Sequence, residues 1–410
     1  MRGATVQGVL EGVRVLEVAT WTFVPAAGAV LADWGADVIK VEHPKTGDPQ
    51  RGLITAGMFG GGARAVNFMI EQPNRGKRSI GIDLRSAGGL EILYKLAEVS
   101  DVFLTSFLPA ARQEMRIDVE HMRARNPNII YVRGSGMGQR GPERERGGYD
   151  AAAYFARGGH AAALTPDDVE YPVDPRAAYG DLPGGQTLAG GIAAALFRRE
   201  RHGVPSVVDA SLLSCAMWTL APDIVSSKLF GIPKLPRGDR RRAPNPLVST
   251  YRTKDGRFIN LTMLESDRYW PDLCRRLGRP ELSDNPRFAT AALRGAHGAE
   301  CVDALDDTFA ERTLVEWKEA LADALGVWAV CQEPLELHDD PQAIENGYLV
   351  EVATDEGTSF TLVANPVQFD ETSPALTRAP EHGEHTEAVL LELGLEWGEI
   401  ITLKEAGAVL

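Results

Sequence analysis

Cysteine is scarce in this 410-residue chain, and the four present, Cys215, Cys274, Cys301 and Cys331, stand far apart with no CxxC pair. That spacing does not fit a paired-cysteine zinc site and is too sparse for a disulfide scaffold, so the reading is a reduced, cytosolic interior. Positive charge is also short: 43 Lys and Arg against 57 Asp and Glu give a formal net charge of -14. A surface of that sign argues against a phosphate backbone, and nucleic acid is not expected as a partner. No stretch reaches the roughly 20 apolar residues needed to span a bilayer. The run TLAGGIAAALF at 187–197 suffices only for a buried helix, and the opening MRGATVQGVLEGVRVLEVAT lacks the continuous apolar segment of a secretory leader. No membrane partner is expected. Motifs are missing too. No GxxxxGK[ST] loop disfavours that type of ATP chemistry, and no HExxH or paired His/carboxylate spacing suggests a catalytic metal. Gly134-Ser-Gly136-Met-Gly138 fails the GxGxxG spacing and meets Pro142 where a helix should begin, so it reads as a flexible turn.

What is present is the patterning of an ordinary globular chain. Hydrophobic residues make up 44% and charged residues 24%, which argues against disorder as the main state. The length allows two or three domains. Through residue 135, short β-branched runs alternate with helical patterns. Strands are expected at 13–18 (VRVLEV), 36–41 (ADVIKV), 79–84 (SIGIDL), 102–105 (VFLT) and 129–132 (IIYV), with helices at 25–34, 86–98 and 117–125. Strands so separated predict βαβ units around a parallel sheet. Gly47-Asp48-Pro49 and the glycine run 60–62 mark surface loops. Two long helical stretches follow, from Asp181 to about Arg201 and over 209–229. Gly203 suits the residue beyond the first. A Pro- and Arg-rich linker at 233–246 precedes a hairpin around Asp255-Gly256, helices over 266–325 and a strand at 327–333. Strand-like pieces from about 341 and an amphipathic helix near 384–394 close the chain. The expected organisation is a large α/β domain from 1–229, completed by 326–410, and a smaller domain at 230–325.

Basic groups fall at the predicted strand–helix junctions: His43, Arg51, the run Asn74-Arg75-Gly76-Lys77-Arg78, and Arg112. One such group is ordinary solvated charge, but several at successive junctions point to a site for a phosphate-bearing ligand. His382 and His385, in the acidic segment EHGEH, read as a solvated helix start rather than a ligand set. The most pointed feature is Gly180-Asp181-Leu-Pro-Gly184-Gly185, leading into a helix. Asp181 has two readings there. It is an N-cap for the first-turn amides, or a carboxylate nucleophile. In the second reading the three glycines let a bulky electrophile approach, and helix amides stabilise a developing oxyanion. An anion site plus a nucleophilic carboxylate is what acyl-CoA chemistry needs.

The opening LEGVRVLEVATWTFVPAAGAVLADWGADVIKVEHPKTGDPQRG resembles that of the class III (CaiB/BaiF-type) CoA transferases. The likeness continues through NRGKRSIGIDL, DVFLTSFLPAAR, YVRGSGMGQRGP and AAYGDLPGGQTLAGGIAAALFRRERHGVPSVVDASLL, and more weakly through VWAVCQEPLELHDDPQ, so nearly the whole chain is covered. It implies a Rossmann-like large domain built from both chain ends, a smaller inserted domain, and a homodimer whose protomers interlock like chain links. It also implies a cytoplasmic enzyme with acyl-CoA and a small carboxylic acid as substrates, no tightly bound cofactor and no metal. Asp181 matches the family's catalytic aspartate, which forms an aspartyl-CoA thioester. For CoA contacts the resemblance points to Thr22, Phe23, His43, Asn74, Arg75, Gly76, Lys77, Ser106, Phe107, Leu108, Arg112, Tyr149 and Asp150. Ser106 stands where asparagine is usual, Ala110 where glycine is common, and Glu114 at the usual basic position near Arg112. The segment RRRAPNPLVST holds no glycine-rich lid of the kind some members carry.

Two other readings stand beside this one. The α-methylacyl-CoA racemases of the same superfamily pair the aspartate with a histidine in Gly-His-Asp. Here the triplet is Gly148-Tyr149-Asp150, and a tyrosine with its ordinary pKa near 10 is a poor base at neutral pH. A nucleotide-binding oxidoreductase would lack the glycine fingerprint. The donor and acceptor acids are not legible, though Trp21, Phe23, Met58, Phe59, Tyr149 and Tyr154 suit an apolar acyl pocket for a bulky or hydrophobic acid.

Overall fold

The computed structural model describes residues 8–53, 66–236, 238–354 and 357–410. Met58, Phe59 and the glycine run 60–62 lie outside the described residues. The chain forms two compact units, Met1–Leu235 with Gln342–Leu410, and Pro236–Pro341.

The larger unit carries a six-stranded, wholly parallel sheet. Its strands are β1 (Arg14–Val18), β2 (Asp37–Glu42), β3 (Arg78–Gly81), β4 (Val102–Thr105), β5 (Ile130–Ser135) and β6 (Val207–Ser211), in the order β3-β2-β1-β4-β5-β6. The mixed α/β fold with a parallel sheet is the one the patterning predicts, and β4 matches residue for residue. The expected helix over 209–229 is a correction. Its first residues belong to β6, a half-exposed edge strand paired with β5, and two helices, Leu212–Thr219 and Ala221–Phe230, follow.

Successive strand residues face opposite sides, so the sheet has two cores. Val15, Val38, Leu104 and Val132 pack with the helices Phe23–Asp33 and Asp181–His202. Leu16, Ile39, Phe103 and Tyr131 pack with the helix Ala87–Glu98 and with chain-end residues such as Val389 and Ile400. The last residue closes on β3, where the Leu410 amide donates to the Gly81 carbonyl at 3.1 Å. On the first face two helices cross closely. A Cβ at Gly184 would come within 2.8 Å of the Phe23 ring, and one at Gly185 within 2.6 Å of the Ala26 methyl. These glycines therefore serve helix packing, which corrects the expectation that they clear room for an electrophile.

The smaller unit has an antiparallel sheet of β7 (Val248–Arg252), β8 (Phe258–Thr262) and β9 (Trp328–Val330). Helices between Ser266 and Leu321 bury Trp270, Phe309 and Trp317 against it. The boundary expected at 325 falls too early, because β9 is the third strand of this sheet. No helix among the described residues is long and apolar enough to cross a membrane.

Candidate active site

The strand order reverses between β1 and β4, and in open parallel sheets the crevice beyond the strand ends at such a point holds ligands. Two adjoining clefts lie there. The first, of about 290 Å³, is lined by Thr20 and Trp21 beyond β1, residues 106–108 beyond β4, and Gly134–Gly136 around the end of β5. Phe23, Tyr149 and Asp181 complete the part that bears on chemistry. The second, of about 330 Å³, sits at the ends of β1, β2 and β3, with His43 and Arg85 on its wall. Thr20 and Phe107 line both. The glycine segment expected to be a free turn is thus part of the wall. A Cβ at Gly134 would come within 2.2 Å of Val24, and one at Gly136 within 2.7 Å of Gly148.

Among the described residues, Asp181 is the one charged residue on the first cleft's wall. It is the first residue of its helix. Gly180 holds the N-cap position, and no side chain within the turn caps it. The N-cap reading of Asp181 is therefore corrected: the acceptor comes from Asp150, whose two carboxylate oxygens take the Gly180 amide at 3.0 and 3.1 Å. Burial, and the negative charge of Asp150, push the Asp181 carboxyl up to about 7. Burial also raises Asp150, against the opposing pull of the Gly180, Tyr179 and Asp181 amides. The Gly180 amide points at Asp150 and the Tyr179 amide at the Arg176 carbonyl, so neither serves the oxyanion site that the sequence suggested.

The wall is held in a strained form. Trp21 sits at φ 69° and Ala178, just before the Asp181 turn, at φ 57°, a left-handed region costly for side chains with a Cβ. The Asp48 carboxylate steadies Trp21 by accepting its amide at 3.2 Å, and the Trp21 ring meets the Tyr149 ring edge-on at 5.2 Å.

Of the residues expected to contact CoA, Phe23, Ser106, Phe107, Leu108 and Tyr149 line the first cleft with Asp181, and His43 lines the second. The others are placed differently. Thr22 is buried on Gln50, its hydroxyl 3.0 Å from Oε1. Asn74 and Lys77 are buried together, with the Lys77 ammonium donating to both Glu17 oxygens at 2.8 and 2.9 Å and to Asn74 at 3.0 Å. Arg75 grips Asp33, with Nη2 at 2.7 Å. Gly76, between them, takes a left-handed turn at φ 71° and lines neither cleft. Arg112 is enclosed, donating to the Phe107 carbonyl at 2.7 Å and to Gln139 at 3.0 Å. Each of these cations has an internal acceptor and lines neither cleft, so the structure does not bring it together with Asp181. Asp150 is likewise turned to the Gly180 amide, and His160 is stacked on Tyr154 with Nε2 3.2 Å from the Ala216 carbonyl. A cation on the second cleft that the sequence reading did not single out is Arg85, exposed just past β3. Its signal was available, since it follows the strand-like run SIGIDL as the run Asn74 to Arg78 precedes it.

A model of CoA-transferase family III matches residues 10–386. The chain is similar to an (R)-2-hydroxy-4-methylpentanoate CoA-transferase of Clostridioides difficile, 32% identical over 98% of this chain and 99% of the relative. A cinnamoyl-CoA:phenyllactate CoA-transferase of Clostridium sporogenes is 30% identical over 96% of each. Among solved structures, a CaiB/BaiF family protein from Brucella suis superposes with a TM-score of 0.80 at 28% identity, covering 94% of this chain and 100% of that one.

Proposed function

The chain belongs to CoA-transferase family III and is an enzyme that moves coenzyme A between an acyl-CoA and a carboxylic acid, and we propose that it does so through a covalent intermediate on Asp181. The observation that carries this reading is a carboxylate on a cleft wall whose other described residues are uncharged, with its pKa raised to about 7. A raised pKa makes the ionised carboxylate a stronger nucleophile while leaving much of it ionised at neutral pH. The carboxylate adds to the thioester carbonyl and expels CoA thiolate, giving a mixed anhydride. The thiolate then attacks the aspartyl carbonyl, which releases the donor acid and forms the aspartyl-CoA thioester. The acceptor carboxylate attacks that thioester and frees the thiolate again, leaving a second anhydride. Attack of the thiolate on the acceptor's carbonyl yields the new acyl-CoA and restores Asp181. Every step exchanges one activated carboxyl for another.

The second cleft suits the nucleotide end of CoA, with Arg85 and His43 toward its phosphates, and the first suits the thiol end. The apolar lining by Trp21, Phe23, Phe107 and Leu108 favours a hydrophobic acid. Mass spectrometry after incubation with a panel of acyl-CoAs, followed by hydroxylamine, tests the chemistry. A hydroxamate is expected at Asp181 and absent from Asp181→Ala. Deuterium exchange at the α-carbon with no adduct from any donor would instead mean proton transfer.

The working form we propose is an interlocked homodimer in the cytoplasm. Supporting it, the helix Ala221–Phe230 buries none of its residues, and Trp218, Leu229 and Phe230 beside or on it are 81%, 73% and 70% exposed. An apolar patch of that kind marks a protein interface. Sedimentation should give a dimer that Leu229→Glu disrupts, and a wild-type monomer would rule it out.

A further inference from the structure

The carboxylate that faces away from the cleft carries the next step. Asp150 opens a seven-residue π-helical turn, Asp150–Ala156, a rare geometry that tends to occur at functional sites. It is buried, 30 residues from the helix it serves, and both of its oxygens converge on the Gly180 amide. Gly180 has no space for a side chain, because a Cβ there would lie 2.2 Å from the Tyr154 ring. The position of the Asp181 backbone is thus set from two sides, by the Tyr154 ring and by the Asp150 carboxylate.

We propose that Asp150 is a positioning residue for Asp181: it anchors the first turn that presents the Asp181 carboxylate to the cleft and sets a second negative charge behind it. The proposal rests on Asp181 being the reacting carboxylate. An ordinary cap could be supplied by a neutral side chain such as serine or asparagine; a charged acceptor one residue from the nucleophile does more. It raises the energy of ionised Asp181 in the free enzyme, so the charge repulsion is relieved when the carboxylate becomes a neutral anhydride or thioester. Among the described residues, the other titratable groups around the pair are Tyr149, which shares the cleft wall with Asp181, and His160, Tyr154, Tyr179 and Cys215, which lie on the elements packed against these two turns. Among them Asp150 is the one whose charge acts on Asp181.

The test follows ionisation of Asp181 directly, by carboxyl carbon NMR of protein labelled at aspartate, with the resonance assigned by its loss in Asp181→Asn. Asp150→Asn keeps an acceptor for the Gly180 amide but removes the charge. Its Asp181 titration should move to lower pH by roughly half a unit or more, and the acid limb of kcat/KM should move with it. An Asp181 titration unchanged in Asp150→Asn would overturn the proposal and leave Asp150 as a cap only. Should Asp150→Asn fail to fold, Asp150→Ser offers a neutral acceptor and the same readout. The outcome is separable from the catalytic reading: absence of a wild-type hydroxamate at Asp181 removes the nucleophile, whereas an unmoved titration removes only the role of Asp150.

Discussion

Two places in the larger unit enclose carboxylates, and they follow opposite rules. Beneath β1 and β2, Glu17 lies between Lys40 at 3.3 Å and Lys77 at 2.8 Å, all three side chains fully enclosed. Lys40 reaches on to Asp48 at 2.9 Å. Burial alone would pull the Lys40 ammonium down, and Asp48 and Glu17 more than reverse it. At the Asp181 turn two acids adjoin with the Gly180 amide on one of them and no cation among the described residues of the cleft wall. Glu17 and Asp150 are buried and Asp181 is half-buried, so burial alone does not distinguish the two places. Pairing does. A charge with its partner in place is used up in holding the fold, and a charge left against a like charge is held ready for a ligand.

Replacing one acid in each place should separate the two rules, and the largest effect is expected at Asp181. Asp181→Asn should lower transferase turnover by about a thousandfold or more, as loss of a covalent nucleophile does. The same variant should be more stable than wild type above neutral pH. The unfolded carboxyl ionises near 3.8 and the folded one near 7. Between those values the folded chain holds a proton that the unfolded chain has lost, so wild-type stability falls as pH rises through that window. The amide has no such cost. Thermal melts at pH 5 and pH 8 check the sign: the advantage of the variant should be larger at pH 8, and an Asp181→Asn protein that melts below wild type at pH 8 would contradict it.

Glu17→Gln should do the reverse. Two lysines lose their shared counter-ion, and breaking a buried pair costs about 3–5 kcal/mol, roughly 10 °C in melting temperature for a unit of this size. Turnover per folded molecule should stay within about threefold, because Asp48 still holds the Trp21 amide. Denaturation followed alongside activity measures both. A Glu17→Gln enzyme of normal stability and lost turnover would place Glu17 in the site and end the contrast.

The same distinction explains what could be read from the chain. Local patterns gave the sheet: β4 and the long helix from Asp181 to Gly203, where a left-handed φ of 67° ends it, follow from short stretches of sequence. Asp181 was legible because its glycine-rich surroundings are local as well, although the glycines turned out to fit Phe23 and Ala26. What failed was direction. A cation at a strand–helix junction looks the same whether it faces a ligand or a buried acid, and the acid facing Lys77 lies 60 positions away. The Asp150–Gly180 contact spans 30 positions and left no local mark. The edge strand β6 was absorbed into a helical reading because five residues of half-exposed alternation weigh little beside the helices that follow.

The smallest effects sharpen the contrast most, because they compare two arginines that sequence alone would treat alike. Arg75 is bound to Asp33 on the inside, and Asp33 also accepts from Asn365 at 3.0 Å. Arg85 is exposed on the wall of the second cleft. Removing a charged group that meets a phosphate costs about 1–3 kcal/mol, so Arg85→Ala should raise KM for the acyl-CoA by roughly tenfold, with kcat nearly unchanged and melting within a degree or two of wild type. Arg75→Ala should leave KM where it is and lower the melting temperature, since it strands Asp33 in a nearly closed site. The pair is measured by saturation kinetics at two salt concentrations beside a melt. Added salt should weaken acyl-CoA binding in wild type and do so less in Arg85→Ala, because screening acts on the charge that the variant has already lost. Interchanged results, with Arg75 governing KM and Arg85 governing stability, would mean that the inward-facing run from Asn74 to Lys77 reaches the ligand after all, and that an internal partner does not take a cation out of use.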